Sequence, residues 1–220
     1  MVKWSFSGLK DFKNCPKQYH EVKILQNFKK STTHQMLYGT EVHKALEDYV
    51  RDGVPLAQNY KRFKPVADAL LDIPGTRYPE YKMALTYERL PCDFDAPEYW
   101  VRGIVDLLII EGDTAHIVDY KTGSAKYPDP NQLKLMAAMT FAHFPEVNFI
   151  KAGLIFVLHE VFIDEQYHRK DIAKLWRPFE HTLTLLQASH ETGNFVANPT
   201  PLCGWCPVDT CTFHKKSLRR

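Results

Sequence analysis

Two apolar segments in the middle of the chain, each carrying an aspartate, constrain the fold more than any other feature of the sequence. Residues 99–110 and 115–120 have the composition of β-strands, and a short Glu-Gly-Asp sequence separates them. A tight turn of this kind joins antiparallel neighbours, so the two segments are predicted to form a hairpin. Asp106 lies in the first segment and Asp119 in the second. Both carboxylates are therefore expected near the same end of the hairpin.

The other elements are predicted from hydrophobic spacing and from Gly and Pro at segment ends. Helices are expected at 4–15, 39–51, 63–71, 131–144 and 171–190, and strands at 81–90 and 150–158. Residues 19–28 fit either a strand or a helix. This order predicts an α/β fold in which helices flank a mixed central sheet, built as one domain over 1–220.

Composition limits the class of protein. The 220 residues are enough for one well-buried core, and the formal net charge of +2 does not indicate a nucleic-acid partner by itself. The longest apolar runs are too short for a membrane span, and residues 1–10 do not read as a signal peptide. A cytoplasmic location without a membrane partner is expected, where clustered cysteines indicate metal binding more often than disulfides.

The acidic residues of the hairpin predict a cation site. Asp119 and Lys121 are two residues apart, so they project from the same face of one strand. Bringing these charged groups close to Asp106 costs free energy unless a cation compensates the negative charge. Mg²⁺ and Mn²⁺ prefer hard oxygen ligands such as carboxylates. A bound ion with a nearby lysine suits phosphodiester hydrolysis. The alternative is a surface hairpin with an ordinary Asp–Lys pair.

These residues stand in motifs that resemble the PD-(D/E)XK nuclease superfamily, specifically its RecB-like branch. The carrying segments are Gly39-Thr40-Glu41-Val42-His43-Lys44-Ala45-Leu46-Glu47, Gly103-Ile104-Val105-Asp106, Asp119-Tyr120-Lys121-Thr122-Gly123 and Gln132. The resemblance implies a restriction-endonuclease-like core. It also implies metal binding by His43, Asp106, Asp119 and the Tyr120 carbonyl, with catalytic roles for Asp106, Asp119, Lys121 and Gln132. Met136 stands where the family has a tyrosine, and Glu88 is a possible further acidic residue.

Four cysteines bracket the chain. Cys203, Cys206 and Cys211 lie near its end and Cys15 near its start, so the four can form one site if the termini meet. The arrangement resembles the iron–sulfur exonucleases of the same branch, found in CRISPR adaptation and in phages. It implies a [4Fe–4S] cluster in a small cap formed by 1–30 and 198–220. Zn²⁺ is the alternative, with His214 able to replace one thiolate.

The function that follows is a divalent-metal-dependent DNA exonuclease. By resemblance its substrate is single-stranded DNA or DNA with free ends, in phage-type recombination or replication, located in the host cytoplasm and with replication or recombination proteins as possible partners. The alternatives are a non-catalytic iron–sulfur or zinc DNA-binding module and a structure-specific endonuclease. Candidate DNA contacts are Lys17-Gln18-Tyr19, Lys126-Tyr127, Arg102 and the basic tail with Lys215, Lys216, Arg219 and Arg220.

Overall fold

The predicted hairpin is confirmed in a computed structural model, which describes residues 1–126, 128–159 and 161–215. Strands β3 (Val101–Glu111) and β4 (Thr114–Lys121) are antiparallel, and Gly112 turns the chain between them with φ +59°. Tyr127 and the basic tail beyond Lys215 lie outside the described residues, so the nucleic-acid contacts expected of them belong to the sequence alone.

The hairpin lies at the centre of a six-stranded sheet of order β2-β1-β3-β4-β5-β6. The four other strands are β1 (Thr76–Leu85), β2 (Pro91–Cys92), β5 (Phe149–Phe156) and β6 (Val161–His168). Among the described strands only β4 and β5 pair in parallel, and the helix α5 (Asn131–His143) makes the crossover that a parallel pair needs. The predicted mixed α/β sheet is confirmed.

The described residues form five further α-helices. They are α1 (Phe6–Asn14), α2 (Pro16–Tyr19), α3 (His34–Asp52), α4 (Lys64–Leu71) and α6 (Ile172–Thr192). Helix α3 starts five residues before its predicted start, because the Thr33 side chain accepts a hydrogen bond from the Met36 amide and caps the helix there. The ambiguous segment 19–28 is helical at its start, since a π-helix at His20–Ile24 follows α2.

Two strand predictions need correction. The strand expected at 81–90 runs from Thr76 to Leu85, so Glu88 lies in the turn after it, not within it. Strand β6 was not predicted, because it lies at the edge of the sheet, five of its eight side chains are exposed, and polar residues fill its middle from Asp164 to Gln166. An edge strand of this kind lacks the apolar run that marks a buried one.

The chain divides into two units, one made of 33–178 and one made of 1–32 with 179–220. The first unit holds the sheet, and its main core packs α3 and α4 on β3 and β4 through residues such as Leu46, Ala67 and Ile109. The second unit is held by aromatic contacts, among them Phe12 against Tyr19 and Trp4 against Phe179. No helix within the described residues is both long and apolar enough to cross a membrane.

Candidate metal centre

Helix α3 delivers His43 to the end of the hairpin. Gly39, one turn earlier, allows the helix to approach β4 closely, because a Cβ at this position would lie 2.8 Å from the Thr122 hydroxyl. The His43 Nδ1 atom lies 3.4 Å from Asp106 Oδ2. The His43 ring also meets the buried Tyr120 ring edge to face, with 6.0 Å between ring centroids. The glycine and histidine of the α3 motif thus share one function, which is to bring an imidazole to the acidic strand.

Asp106 is held from the neighbouring strand. Its Oδ2 accepts a hydrogen bond of 2.6 Å from the Tyr120 amide, so the carboxylate has a fixed orientation before any ligand binds. Burial alone would lower the pKa of His43, but the hydrogen bond and the negative charge of Asp106 outweigh it and raise that pKa. The aspartate therefore stabilises the charged form of the histidine.

A glutamate that the sequence analysis did not select completes the group. Tyr81 pairs with Val105 and Pro79 with Leu107 on the neighbouring strand. Glu80 and Asp106, which lie between these two pairs, are not paired with each other in the β1–β3 ladder. Glu80 has φ +50°, a left-handed conformation that costs a non-glycine residue free energy. Backbone strain of this kind concentrates at functional sites.

His43, Glu80 and Asp106 each place one ligand atom within 4.8 Å of the others, the one such group among the described residues. They line an open groove of about 940 Å³, whose walls are the α3 face from Thr33 to Glu47 and the segment Thr122–Ser124 with His159. Burial first, and then the charges of Asp106 and Glu47, raise the pKa of Glu80. A cation at the group would relieve this repulsion.

Asp119, Lys121 and Gln132 form a second cluster beside the first. The Gln132 amide donates to Asp119 Oδ1 at 2.5 Å, and its carbonyl accepts from Lys121 Nζ at 2.9 Å. Lys121 Nζ lies 2.5 Å from Asp119 Oδ2, an ion pair that lacks the angles of a hydrogen bond, since Oδ2 has no hydrogen-bond partner in the described structure. The structure thus brings the residues of the third sequence motif and the glutamine together.

The environment of Asp119 fits a cation. Burial first, and then the charge of Asp106, raise the pKa of Asp119 to about 6, although Lys121 opposes the shift. Lys121 therefore compensates the burial of Asp119 only in part, and a bound ion would offset the remaining desolvation cost. With His43, Glu80 and Asp106 nearby, the donor set is one imidazole and several carboxylates, which suits Mg²⁺ or Mn²⁺.

The structure also places Glu88, Met136 and Arg102, three residues that were singled out from the sequence. Glu88 is exposed in its turn, and Glu80 is the acid that lies with His43 and Asp106; Pro79 was the signal, because a proline inside a strand marks an interruption. Met136 is buried, and its methyl group would lie 2.7 Å from a Cβ at Gly103. Met136 therefore packs the core instead of facing a substrate. Arg102 pairs with Asp95 at 2.8 Å and stacks on two aromatic rings, so its charge is already engaged.

The four bracketing cysteines meet in the other unit. Cys15, Cys203, Cys206 and Cys211 line one small cavity of about 20 Å³. Backbone amides donate to two of the sulfurs, from Asn198 to Cys15 at 3.4 Å and from Thr200 to Cys203 at 3.3 Å. Burial, together with the other three cysteines, raises the pKa of the Cys206 thiol. His214 is buried beside them with its Nε2 3.1 Å from the Cys206 carbonyl.

The chain is similar to proteins of known family and of known structure. The model of a family described as the PD-(D/E)XK nuclease superfamily matches residues 75–211. The crystal structure of a protein from Eubacterium rectale, named "Putative exonuclease", is similar over 99% of this chain and 88% of that chain, with a TM-score of 0.52 and 13% identity. The fold is thus the restriction-endonuclease-like one that the motifs implied. A crystal structure of SSO0001 (TM-score 0.39, 14% identity, 84% and 76% of the two chains) is too distant to carry an argument. No curated protein matches the chain.

Proposed function

Because the chain belongs to the PD-(D/E)XK nuclease superfamily, we propose that it is a divalent-metal-dependent DNA exonuclease acting on single-stranded ends. The observation that carries the proposal is the convergence of His43, Glu80 and Asp106 in an open groove, beside the linked set Asp119, Lys121 and Gln132. The setting we propose, from the sequence resemblance, is recombination or replication of a phage-type genome.

Each residue then has a distinct role. His43, Glu80, Asp106 and Asp119 would hold Mg²⁺ or Mn²⁺, with the Tyr120 carbonyl as the further ligand that the resemblance implies. The ion would lower the pKa of the attacking water and stabilise charge on the phosphoryl group. Lys121 orients the water and stabilises the developing negative charge. Gln132 fixes the positions of the Lys121 ammonium and the Asp119 carboxylate, because it forms a hydrogen bond with each of them.

The test is cleavage of end-labelled single-stranded DNA with Mn²⁺ by the wild type and by Asp119→Asn and Lys121→Met. Both variants keep the size of the side chain, so folding should be retained while cleavage falls by about 100-fold or more. Lys44→Met is the control, since Lys44 lines the groove but bonds to Asp48 on its own helix. Equal cleavage by wild type, Asp119→Asn and Lys121→Met would refute the proposal.

Two alternatives have distinct signatures. A structure-specific endonuclease on the same fold would cut closed circular DNA, which offers an exonuclease no end. A DNA-binding module without catalysis would bind the labelled strand and leave it intact with Mn²⁺, Mg²⁺ and every variant alike.

We also propose that the four cysteines hold a [4Fe–4S] cluster, in a cap made of 1–30 and 198–220. The four cysteines line one cavity, and the amide donors to two of their sulfurs suit cluster thiolates.

Anaerobic purification tests this second proposal. A brown protein with broad visible absorbance and about four irons per chain is expected, and Cys206→Ser should remove both. Cys92→Ser is the matched control, because Cys92 lies in β2 of the other unit. A colourless protein with one zinc per chain would refute the iron–sulfur assignment and leave the nuclease proposal untouched.

A further inference from the structure

The loop that carries Cys203 and Cys206 also exposes a tryptophan. Trp205 is 76% exposed, whereas Trp4 and Trp176 are buried and Trp100 is half-buried. Tryptophan is highly buried on average, so a side chain as exposed as that of Trp205 is unusual. Shielding the cysteine cavity is not the explanation, because buried Val208 and His214 line that cavity and Trp205 does not.

A cation lies against this ring. The Lys215 ammonium is 5.0 Å from the centroid of the Trp205 ring. Gly204 makes room for the lysine, because a Cβ there would lie 2.7 Å from Lys215 Cδ. The aliphatic part of Lys215 thus crosses the backbone at Gly204 and its charge ends over the indole. Aromatic ring and ammonium form one surface, which we call the Trp205 surface.

The sequence around Trp205 is basic overall. Residues 201–220 contain four lysines and arginines, at 215, 216, 219 and 220, and Asp209 as the single acid. Lys17 lines the neighbouring cysteine cavity. A partner that combines flat apolar rings with a regular row of negative charges is complementary to this combination, and single-stranded nucleic acid has both properties.

We propose that the Trp205 surface is a second DNA contact, where one base of a single strand stacks on Trp205 while Lys215 pairs with a neighbouring phosphate. Stacking on an exposed ring does not depend on base identity, so the contact is expected to be independent of sequence. The inference rests on the proposed function only for the choice of single-stranded DNA as the occupant.

Tryptophan fluorescence tests the contact without cleavage. The intact protein is titrated with an oligothymidylate of about 12 nucleotides, with no divalent ion added, and binding is followed in parallel by anisotropy of a labelled strand. In the wild type the strand should quench the exposed indole. Trp205→Phe should abolish most of the quenching but bind nearly as well, since the ring is kept. Trp205→Ala should weaken binding by about 5- to 150-fold, the usual range for one stacked base.

Two further variants define the surface. Lys215→Ala should reduce the slope of log K against log salt concentration by about 0.7, the value for one phosphate contact on a single strand. Leu185→Ala, an exposed apolar residue of α6 in the same unit, should leave affinity and slope unchanged.

The outcomes separate this inference from the proposed function. An unquenched wild type, or wild-type affinity in Trp205→Ala, would overturn the Trp205 surface as a DNA contact even if the protein cleaves DNA with Mn²⁺. Quenching by a strand that is never cleaved would instead retain the surface and refute the nuclease.

Discussion

At Glu80 the backbone and the side chain make opposite demands. A left-handed φ of +50° favours glycine, yet this position supplies a carboxylate to the group with His43 and Asp106. The free energy lost in the backbone is therefore tolerated for the chemistry of the side chain. Such a residue can be tested on both properties at once.

Glu80→Ala and Glu80→Gly both remove the carboxylate, so both should bind Mn²⁺ more weakly than the wild type and cleave DNA slowly. They should differ in stability, since only glycine relieves the left-handed backbone. We expect Glu80→Gly to be more stable than Glu80→Ala by about 1 kcal/mol. Urea unfolding measures the free energies and calorimetry measures Mn²⁺ binding. Equal stability of the two variants would mean that the backbone at this position is not strained.

At the scale of single elements, the turn that leads from α4 into β1 depends on Gly75. Its φ is +119°, and a Cβ there would lie 2.3 Å from the Ile110 carbonyl oxygen on β3. The clash is with backbone, which cannot move without disturbing the β1–β3 ladder. Gly112, in the hairpin turn, also has positive φ but has open space around it.

The two glycines give a matched pair of variants. Gly112→Ala should lower the free energy of unfolding by about 1 kcal/mol, because only the backbone conformation is unfavourable. Gly75→Ala should cost about 2 kcal/mol or more, since the clash adds to the same conformational term. Chemical denaturation of both variants provides the comparison, and a Gly75→Ala cost no larger than that of Gly112→Ala would contradict it.

Helix α5 is tied to β1 by its last residue. The His143 Nε2 atom lies 3.0 Å from the Ala84 carbonyl, and burial lowers the pKa of this histidine despite that bond. The folded protein therefore holds His143 neutral more strongly than the unfolded chain does. Its contribution to stability is complete above the ordinary histidine pKa of about 6.5 and is lost as the pH falls below it.

His143→Gln should remove this part of the pH dependence. Between pH 7.5 and 5.5 the wild type should lose more unfolding free energy than the variant, with a difference of at most about 1.4 kcal/mol per pH unit for one proton. Urea titrations at both pH values measure it. Because the wild type and the variant share every other titrating group, parallel losses in the two proteins would refute the role of His143.

At the scale of the whole molecule, the chain forms two units, of which one is continuous in sequence and the other is made of two separate segments. The unit with the sheet is continuous from Thr33 to Pro178, whereas the other joins 1–32 to 179–220. Cys15 on the first of these segments faces the same cavity as the three cysteines of the second. Closing so long a loop costs chain entropy, which a shared metal centre would offset.

Limited proteolysis of Cys206→Ser tests this dependence. Loss of the ligand should expose 1–32 and 179–220 to trypsin at rates well above those of the wild type, while a fragment covering 33–178 persists. Mass spectrometry of the time course identifies the cut sites. Unchanged cleavage of the discontinuous unit would show that its aromatic packing holds the two segments without the cysteines.

The sequence predicts the central part of this fold because local signals agree there with the three-dimensional environment. Strands β3 and β4 are apolar on both sides of a Gly-containing turn, and both lie in the middle of the sheet. Strand β6 has no comparable signal, since its pairing with β5 is made by backbone groups that the side-chain pattern does not reveal.

The site residues divide in the same way, into those that the sequence predicts and one that it does not. His43, Asp106, Asp119, Lys121 and Gln132 stand in motifs with fixed spacing, and the structure brings them near one another. Glu80 is not part of a motif with fixed spacing. It reaches the site through an interrupted strand pair and an unusual backbone angle, both of which are consequences of tertiary structure.

Gly103 and Met136 share one volume between β3 and α5, since the methionine methyl group lies where a larger residue at 103 would place its Cβ. A Cβ at 103 would require the Met136 methyl group, the far end of a flexible side chain, to move. The two sites are therefore expected to change together during divergence of such chains, with a small partner permitting a large one. A methionine in place of a ring at 136 is then one solution of a two-residue packing problem, and aligned relatives should show paired substitutions at these positions.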